Sequence, residues 1–262
     1  MPSVQITADR TVFGIGLAFV SFAILSTADA LTKVLATRGT SVFQVAAVDA
    51  VFALLVALPL LMRQDGLAGL KPRQPWIVIV RCALGAGSLM LAFLSFAAIP
   101  LADGYSIAFV APLVVTALSV PFLGEHVGWR QWTAVVIGFV AVIVILRPDF
   151  GTIGLGQFDM LASATFFAIS MLMLRRIART ETSGALLLVY FIMLFLIGLP
   201  VAIARWRTPG LEDFLLMALT GACSGAGNLL LIMAFRHASA AIVSSFMYSQ
   251  LIWGTVFGLF LF

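Results

Sequence analysis

The sequence predicts an all-α polytopic membrane protein, and three observations support this fold class. Of the 262 residues, 62% are hydrophobic and only 10% are charged, whereas a soluble domain carries about 25% charged residues. Apolar runs of the length that crosses a bilayer as a helix follow one another with short connections. These runs lack the alternation of apolar and polar residues that a transmembrane β-barrel requires.

Nine apolar runs predict nine transmembrane helices. The runs are 12–34, 43–62, 76–98, 102–123, 131–146, 154–174, 184–204, 212–235 and 239–262. The fifth run is short, so its helix must stand nearly upright or begin at Arg130. A cleaved signal peptide is the alternative for the first run, since Ala28-Asp29-Ala30 imitates a cleavage site, although the run is long for that purpose.

The basic residues between the runs predict a cytoplasmic N-terminus. In that orientation ten of the fifteen Lys and Arg residues lie on the cytoplasmic side, with Arg81 counted among them, and five lie outside. Membrane topology therefore explains the net charge of +4. We expect the lipid bilayer as a partner, no nucleic acid, and a multi-pass location in the inner or plasma membrane.

Internal similarity predicts two repeats. Gly85 to Ser88 recurs as Gly225 to Asn228 at an offset of 140 residues, and 96–123 maps onto 235–262 at an offset of 139. The first repeat holds five helices, and because five is odd the second repeat enters the membrane with inverted orientation. Inverted repeats are typical of transporters with a site near the midplane between the two halves.

The repeat boundaries predict that a helix is missing. The first repeat spans 12–148 (helices one to five) and continues past Leu123 into its fifth helix. The second repeat spans 152–262 (helices six to nine) and ends before the equivalent point. We expect a tenth helix in the native protein that this sequence lacks.

A set of motifs resembles a known family. Within 96–148 there is a proline at a helix end, a proline inside the fourth helix, a Gly-Glu pair after it, tryptophans opening the fifth helix, and a GxxxV stretch closing on Arg-Pro. These motifs are Pro100, Pro112, Gly124-Glu125, Trp129 with Trp132, and Gly138 through Arg147-Pro148. The whole chain resembles the EamA type of the drug/metabolite transporter superfamily.

Other positions agree with this resemblance. Asp29 and Lys33 match a first-helix motif, Arg81 matches an arginine opening the third helix, and 247–254 resembles a ninth-helix motif. Many members carry an arginine in the second helix where this chain has Asp49. The resemblance implies ten helices and secondary transport of small organic metabolites, with a substrate that varies between members.

Two acidic residues inside predicted spans are candidates for substrate or proton binding, because ionisable groups in a membrane are costly. Asp29 precedes Lys33 by four residues on one helical face. We predict that Asp29 faces a central cavity; the alternative is a structural ion pair with Lys33. Asp49 has the same candidate role, with a water-facing position or pairing with Lys33 or Arg38 as alternatives.

Neutral polar and aromatic residues complete the predicted site. Those expected to contact substrate, together with the two acids, are Tyr105, Asn228, Tyr248, Gln250 and Trp253. Such groups can also bridge helices or pack against lipid.

Small residues let helices approach closely. We predict that the third and eighth helices cross their neighbours at Gly85, Gly87, Gly225 and Gly227 and move there during transport.

The predicted function is secondary-active uptake or efflux by alternating access. The resemblance favours amino acids and S-adenosylmethionine-like or flavin-like compounds. A phosphate-binding loop with lysine is absent, so nothing in the sequence suggests that ATP drives transport. His126 and His237 are isolated, so neither a metal site nor a cofactor is expected. The alternatives are an intramembrane enzyme and a channel or structural subunit, and homodimerisation stays open.

Overall fold

The computed structural model describes residues 8–99, 104, 107–124, 126–146, 154–250, 252–253 and 256. This part of the chain contains α-helices and short 3-10 turns, and no strand is found within it. The α-helices are α1 (Ala8–Thr37), α2 (Val42–Asp65), α3 (Pro75–Ala98), α4 (Ala111–Leu123), α5 (Trp129–Leu146), α6 (Leu155–Ile177), α7 (Ser183–Ala204), α8 (Leu211–His237) and α9 (Ala240–Ser245). The 3-10 turns are Leu67–Leu70 and Phe246–Tyr248.

Six helices in the described part of the chain are long and apolar enough to cross a bilayer. They are α1, α2, α3, α6, α7 and α8, and α4 is a shorter apolar helix. Large apolar side chains also face outward, for example Val12 and Phe13 on α1 and Ile137 and Val144 on α5. Such a surface suits hydrocarbon rather than water. The prediction of an all-α polytopic membrane protein is confirmed.

The helices pair across the chain rather than with their sequence neighbours. α1 packs along α8, α3 packs along α6, and α2 packs on α7 and α8. Under the offset of 140 residues, the α1–α8 and α3–α6 contacts are equivalent. The first helix of each repeat therefore packs on the third helix of the other, a reciprocal arrangement of the kind that a two-fold relation produces.

One end of the bundle joins the α1–α2 and α7–α8 connections; we call it the α1–α2 end. Arg38 forms ion pairs with Glu212 at 2.8 Å and Asp213 at 3.0 Å. Hydrogen bonds to these two carboxylates raise the pKa of Arg38. The Gln44 side chain donates to the Arg207 carbonyl at 2.6 Å and accepts from the Arg207 N–H at 3.1 Å.

The opposite end joins the α2–α3, α6–α7 and α8–α9 connections; we call it the α2–α3 end. The buried Glu181 carboxylate accepts the N–H groups of Arg73 at 2.9 Å and Gln74 at 2.6 Å. Arg236 donates to the carbonyls of Ala178 at 2.6 Å and Glu181 at 2.9 Å. Alternate connections therefore gather at opposite ends, as successive membrane crossings require.

The fourth and ninth runs differ from continuous helices. The backbone turns at Phe109–Val110, and α4 begins at Ala111 with Pro112 in its first turn, where the missing N–H of proline costs no helical bond. α9 gives way to a 3-10 turn at Phe246–Tyr248, where the Ser245 and Ser249 hydroxyls donate to carbonyls three or four residues back. Such local bonds compete with α-helical bonding.

The remaining boundaries agree with the runs to within a few residues. α5 begins at Trp129, two residues before the run 131–146 and one before the alternative start at Arg130. Pro100, Tyr105, Glu125 and the Arg147-Pro148 pair lie outside the described residues.

Candidate functional site

Two buried ionisable side chains lie within the first eight residues of largely apolar helices. Asp49 on α2 is 6% exposed and Arg81 on α3 is 3% exposed. Arg81, which the charge count assigned to the cytoplasmic side, is the seventh residue of α3. Neither Asp49 nor Arg81 forms an ion pair closer than 4 Å within the described residues. Both are therefore buried ionisable groups that no charged side chain in this part of the chain pairs with.

Asp49 faces α8. One carboxylate oxygen, Oδ1, has no hydrogen-bond partner, and the carboxyl group interacts with the Ser224 hydroxyl and the charge of Asp29. A Cβ at Gly221 would lie 2.7 Å from the Asp49 carbonyl oxygen. Gly221 thus lets α8 approach α2 closely enough to bring Ser224 to the carboxyl group.

Arg81 faces α7. Its guanidinium carbon lies 5.4 Å from the centre of the Tyr190 ring. Nη1 donates to the Cys82 sulfur at 3.6 Å, and Nε has no partner. The Ser170 hydroxyl of α6 donates to the Arg81 carbonyl at 3.0 Å. Tyr190 is also within electrostatic range of Asp29 and Asp49.

The two repeats contribute different chemistry at corresponding positions. Asp49 and Tyr190 are separated by 141 residues, the offset that aligns Leu58-Pro59 with Leu199-Pro200. Arg81 corresponds to Gly221 at an offset of 140. The group formed by Asp29, Asp49, Ser224, Tyr190 and Arg81, which we call the polar centre, has its acids on α1 and α2 and its arginine on α3.

The predicted aromatic contacts lie elsewhere in the bundle. The Tyr248 ring stacks on Phe109, and Trp253 packs against Phe19 of α1 with centroids 5.6 Å apart. The Trp253 indole nitrogen is buried without a partner. Gln250 is half-buried.

The predicted residues thus fall into separate groups. Asp29, an exposed residue, lies within electrostatic range of the buried Asp49. Asn228 lies one turn beyond Ser224 and donates to its carbonyl at 3.0 Å. The suggested pairing of Asp49 with Arg38 is wrong, because Arg38 binds Glu212 and Asp213. Sequence reasoning missed Arg81 and Tyr190 as site residues, although the position of Arg81 inside the 76–98 run was a usable signal.

The glycines differ in how tightly they pack. A Cβ at Gly225 would lie 2.9 Å from the Ala53 carbonyl oxygen, and one at Gly227 would lie 2.7 Å from Leu25. At Gly85 the nearest atoms belong to Ser170 and Tyr190 at 3.1 Å. Gly87 has only ordinary contacts, with Phe166 at 3.7 Å. The close approaches are therefore at Gly225 and Gly227, followed by Gly85.

Comparison with known proteins identifies the family. The model of the EamA-like transporter family matches residues 12–147, which is more than half of the chain. The chain belongs to the EamA-like transporter family. A crystal structure of another protein shares the fold, with a TM-score of 0.79 and 18% sequence identity over 95% of this chain and 86% of that one.

Curated relatives of this EamA-like protein are transporters. The S-adenosylmethionine uptake transporter of Rickettsia bellii (strain RML369-C) is 26% identical over 95% of this chain and 85% of its own length. The riboflavin transporter of Rhizobium johnstonii is 28% identical over 74% of this chain and 65% of its own. The pseudopaline exporter of Pseudomonas aeruginosa (strain UCBPP-PA14) is 28% identical over 76% of this chain and 72% of its own length. This EamA-like protein is a multi-pass membrane transporter of a small molecule, not an enzyme.

Proposed function

We propose that the protein is a secondary-active transporter of a small cationic or zwitterionic organic metabolite, with the cation bound at Asp29 and Asp49. The observation that carries this proposal is the buried Asp49 carboxylate oxygen that lacks a partner. The relatives named for S-adenosylmethionine and riboflavin transport support a metabolite of this size. S-Adenosylmethionine carries a sulfonium and an ammonium group, and both suit a pair of acids.

A cationic ligand has a physical reason to bind at these acids. A buried carboxylate without a counter-charge loses its hydration and gains little in return. Ser224 offers only one neutral hydroxyl to Asp49, and Asp29 adds a second negative charge nearby. A substrate ammonium or sulfonium group would offset both charges in a medium of low dielectric constant, where such attraction is strong.

Alternating access is the proposed mechanism, and several contacts support it. The units are 12–148 and 152–262, inverted relative to each other, with the N-terminus in the cytoplasm. The reciprocal α1–α8 and α3–α6 contacts provide two equivalent packed pairs. The interruptions near Phe109 and at Phe246–Tyr248 provide points where α4 and α9 can bend. Rocking of one unit against the other would open the polar centre to each side in turn.

The test is counterflow in proteoliposomes containing the purified chain, which reports exchange whatever the direction of transport. The labelled panel is S-adenosylmethionine, tryptophan, riboflavin and tetramethylammonium. We expect saturable counterflow of a zwitterionic or cationic member. Asp49→Asn, which keeps the shape and removes the charge, should lower its rate at least tenfold, and Asp29→Asn should also lower it.

Asp213→Asn is the matched control. It makes the same chemical change at the α1–α2 end and retains an oxygen for Arg38, so counterflow should stay within twofold of wild type. Saturable transport of riboflavin alone, or full activity in Asp49→Asn, would reject the role of the acids. Saturation by no panel member would reject the proposed substrate class.

A further inference from the structure

We propose that Arg81, held by Tyr190, is an anion subsite that binds the carboxylate of the substrate. This inference rests on the proposed function and specifies its substrate as a dipolar ion. The cationic group of that ion would lie at Asp29 and Asp49, and its carboxylate would lie at Arg81.

The surroundings of Arg81 leave its charge uncompensated. The side chain is 3% exposed, Nε has no partner, and the partner of Nη1 is the thiol sulfur of Cys82 at 3.6 Å. Sulfur is a weak acceptor. No carboxylate in the described part of the chain lies within ion-pair distance of the guanidinium. A planar guanidinium with donors to spare matches the two oxygens of a carboxylate.

The structure holds the guanidinium in place while leaving it unpaired. Its position 5.4 Å from the Tyr190 ring centre allows cation–π attraction. Gly85, one turn after Arg81, makes room for that ring, because a Cβ there would lie 3.1 Å from Tyr190 Cε2. Ser170 fixes the backbone through its bond to the Arg81 carbonyl. A purely structural arginine would instead satisfy its donors with carbonyls, as Arg236 does.

Asp49 and Arg81 form no ion pair with each other, although both lie within electrostatic range of the same tyrosine. Tyr190 is within electrostatic range of Asp29, Asp49 and Arg81. In the second repeat, Gly221 takes the place that corresponds to Arg81, so the repeat relation supplies no second arginine there. A ligand that carries both charges would satisfy both sides at once, in one orientation. Simple amines would satisfy the acids alone.

The test compares acids with their decarboxylated counterparts by equilibrium binding to the purified chain in lipid nanodiscs. The three pairs are S-adenosylmethionine and decarboxylated S-adenosylmethionine, tryptophan and tryptamine, and lysine and cadaverine. We expect wild type to bind the acid of at least one pair ten times more tightly than the amine. Arg81→Gln should weaken binding of the acid at least tenfold and leave binding of the amine within threefold of wild type.

Two further variants make the result decisive. Arg81→Lys keeps the positive charge but not the planar guanidinium. It should therefore weaken binding of the acid less than Arg81→Gln does and leave binding of the amine unchanged. If Arg81→Gln does not fold, Arg81→Lys provides the test. Arg176→Gln is the matched control, because Arg176 is exposed at the end of α6. Its affinity for the acid and for the amine should equal that of wild type.

The outcomes separate the two proposals. Equal binding of acid and amine by wild type, or equal loss of both in a folded Arg81 variant, rejects the anion subsite and leaves the proposed function standing. Binding of none of the six compounds by wild type rejects the proposed substrate class and the subsite with it.

Discussion

Phe109 and Tyr248 stack on each other with ring centroids 5.5 Å apart and planes inclined by 26°. The Tyr248 hydroxyl donates to the Phe109 carbonyl at 3.0 Å. The two residues occupy corresponding positions under the offset of 139 residues. Each lies where its helical run is interrupted, so the two repeats meet at equivalent interruptions. This contact joins the two repeats directly.

Removing the Tyr248 ring should impair transport more than removing its hydroxyl. Tyr248→Phe loses one hydrogen bond, worth about 1 kcal/mol, and keeps the stack. Tyr248→Ala also loses the aromatic pair, worth about 1 kcal/mol more. We expect counterflow within threefold of wild type for Tyr248→Phe and at least tenfold slower for Tyr248→Ala. Equal rates for the two variants would show that the stack has no part in transport.

Alanine at Gly225 and at Gly87 should have opposite effects on stability. Alanine is favoured over glycine inside a helix by about 1 kcal/mol, so Gly87→Ala, with its nearest contact at 3.7 Å, should be neutral or stabilising. At Gly225 the new methyl group meets the Ala53 carbonyl at 2.9 Å, and such overpacking costs about 1–3 kcal/mol. Thermal unfolding in detergent measures both, and a lower melting temperature for Gly87→Ala than for Gly225→Ala would contradict the packing described.

Glu181→Gln should destabilise the α2–α3 end. The carboxylate is 3% exposed and accepts two backbone N–H groups from the α2–α3 connection. Glutamine keeps one acceptor oxygen and places an amide donor against the second N–H. Because hydrogen bonds to charged groups contribute about 1.5–3 kcal/mol each, we expect a loss of about 2–3 kcal/mol in reversible unfolding. An unchanged unfolding midpoint would mean that these bonds do not hold the two connections together.

Arg38→Ala should have a small effect on stability despite its two ion pairs. The Arg38 side chain is 40% exposed and that of Glu212 is 75% exposed, and exposed pairs contribute about 0–1 kcal/mol. The melting temperatures of wild type and Arg38→Ala should converge as the salt concentration rises, because salt screens exposed charges. A large difference that persists in high salt would show that Arg38 stabilises the α1–α2 end by packing rather than by charge.

Much of the fold could be predicted from sequence because it depends on local composition. Length and hydropathy alone identify a spanning helix, so the starts and ends of α2, α7 and α8 agree closely with the apolar runs. The scarcity of charge in these runs also made Asp29 and Asp49 conspicuous. The interruption near Phe246 was not predictable in this way, because it depends on which serine hydroxyls turn back to the helix carbonyls.

The sequence by itself determined the fold class, the helices, the family resemblance and the two acids, since each follows from residue type and spacing within one segment. Only the tertiary structure decided the partners: Arg81 beside Tyr190, Asp49 beside Ser224, and Phe109 against Tyr248. These residues are more than 100 positions apart in the chain. In lipid every helix surface is apolar, so the hydrophobic pattern does not specify which helices pair. Close approach at glycines such as Gly221 and Gly225 specifies it instead, and that becomes visible only when the helices are packed.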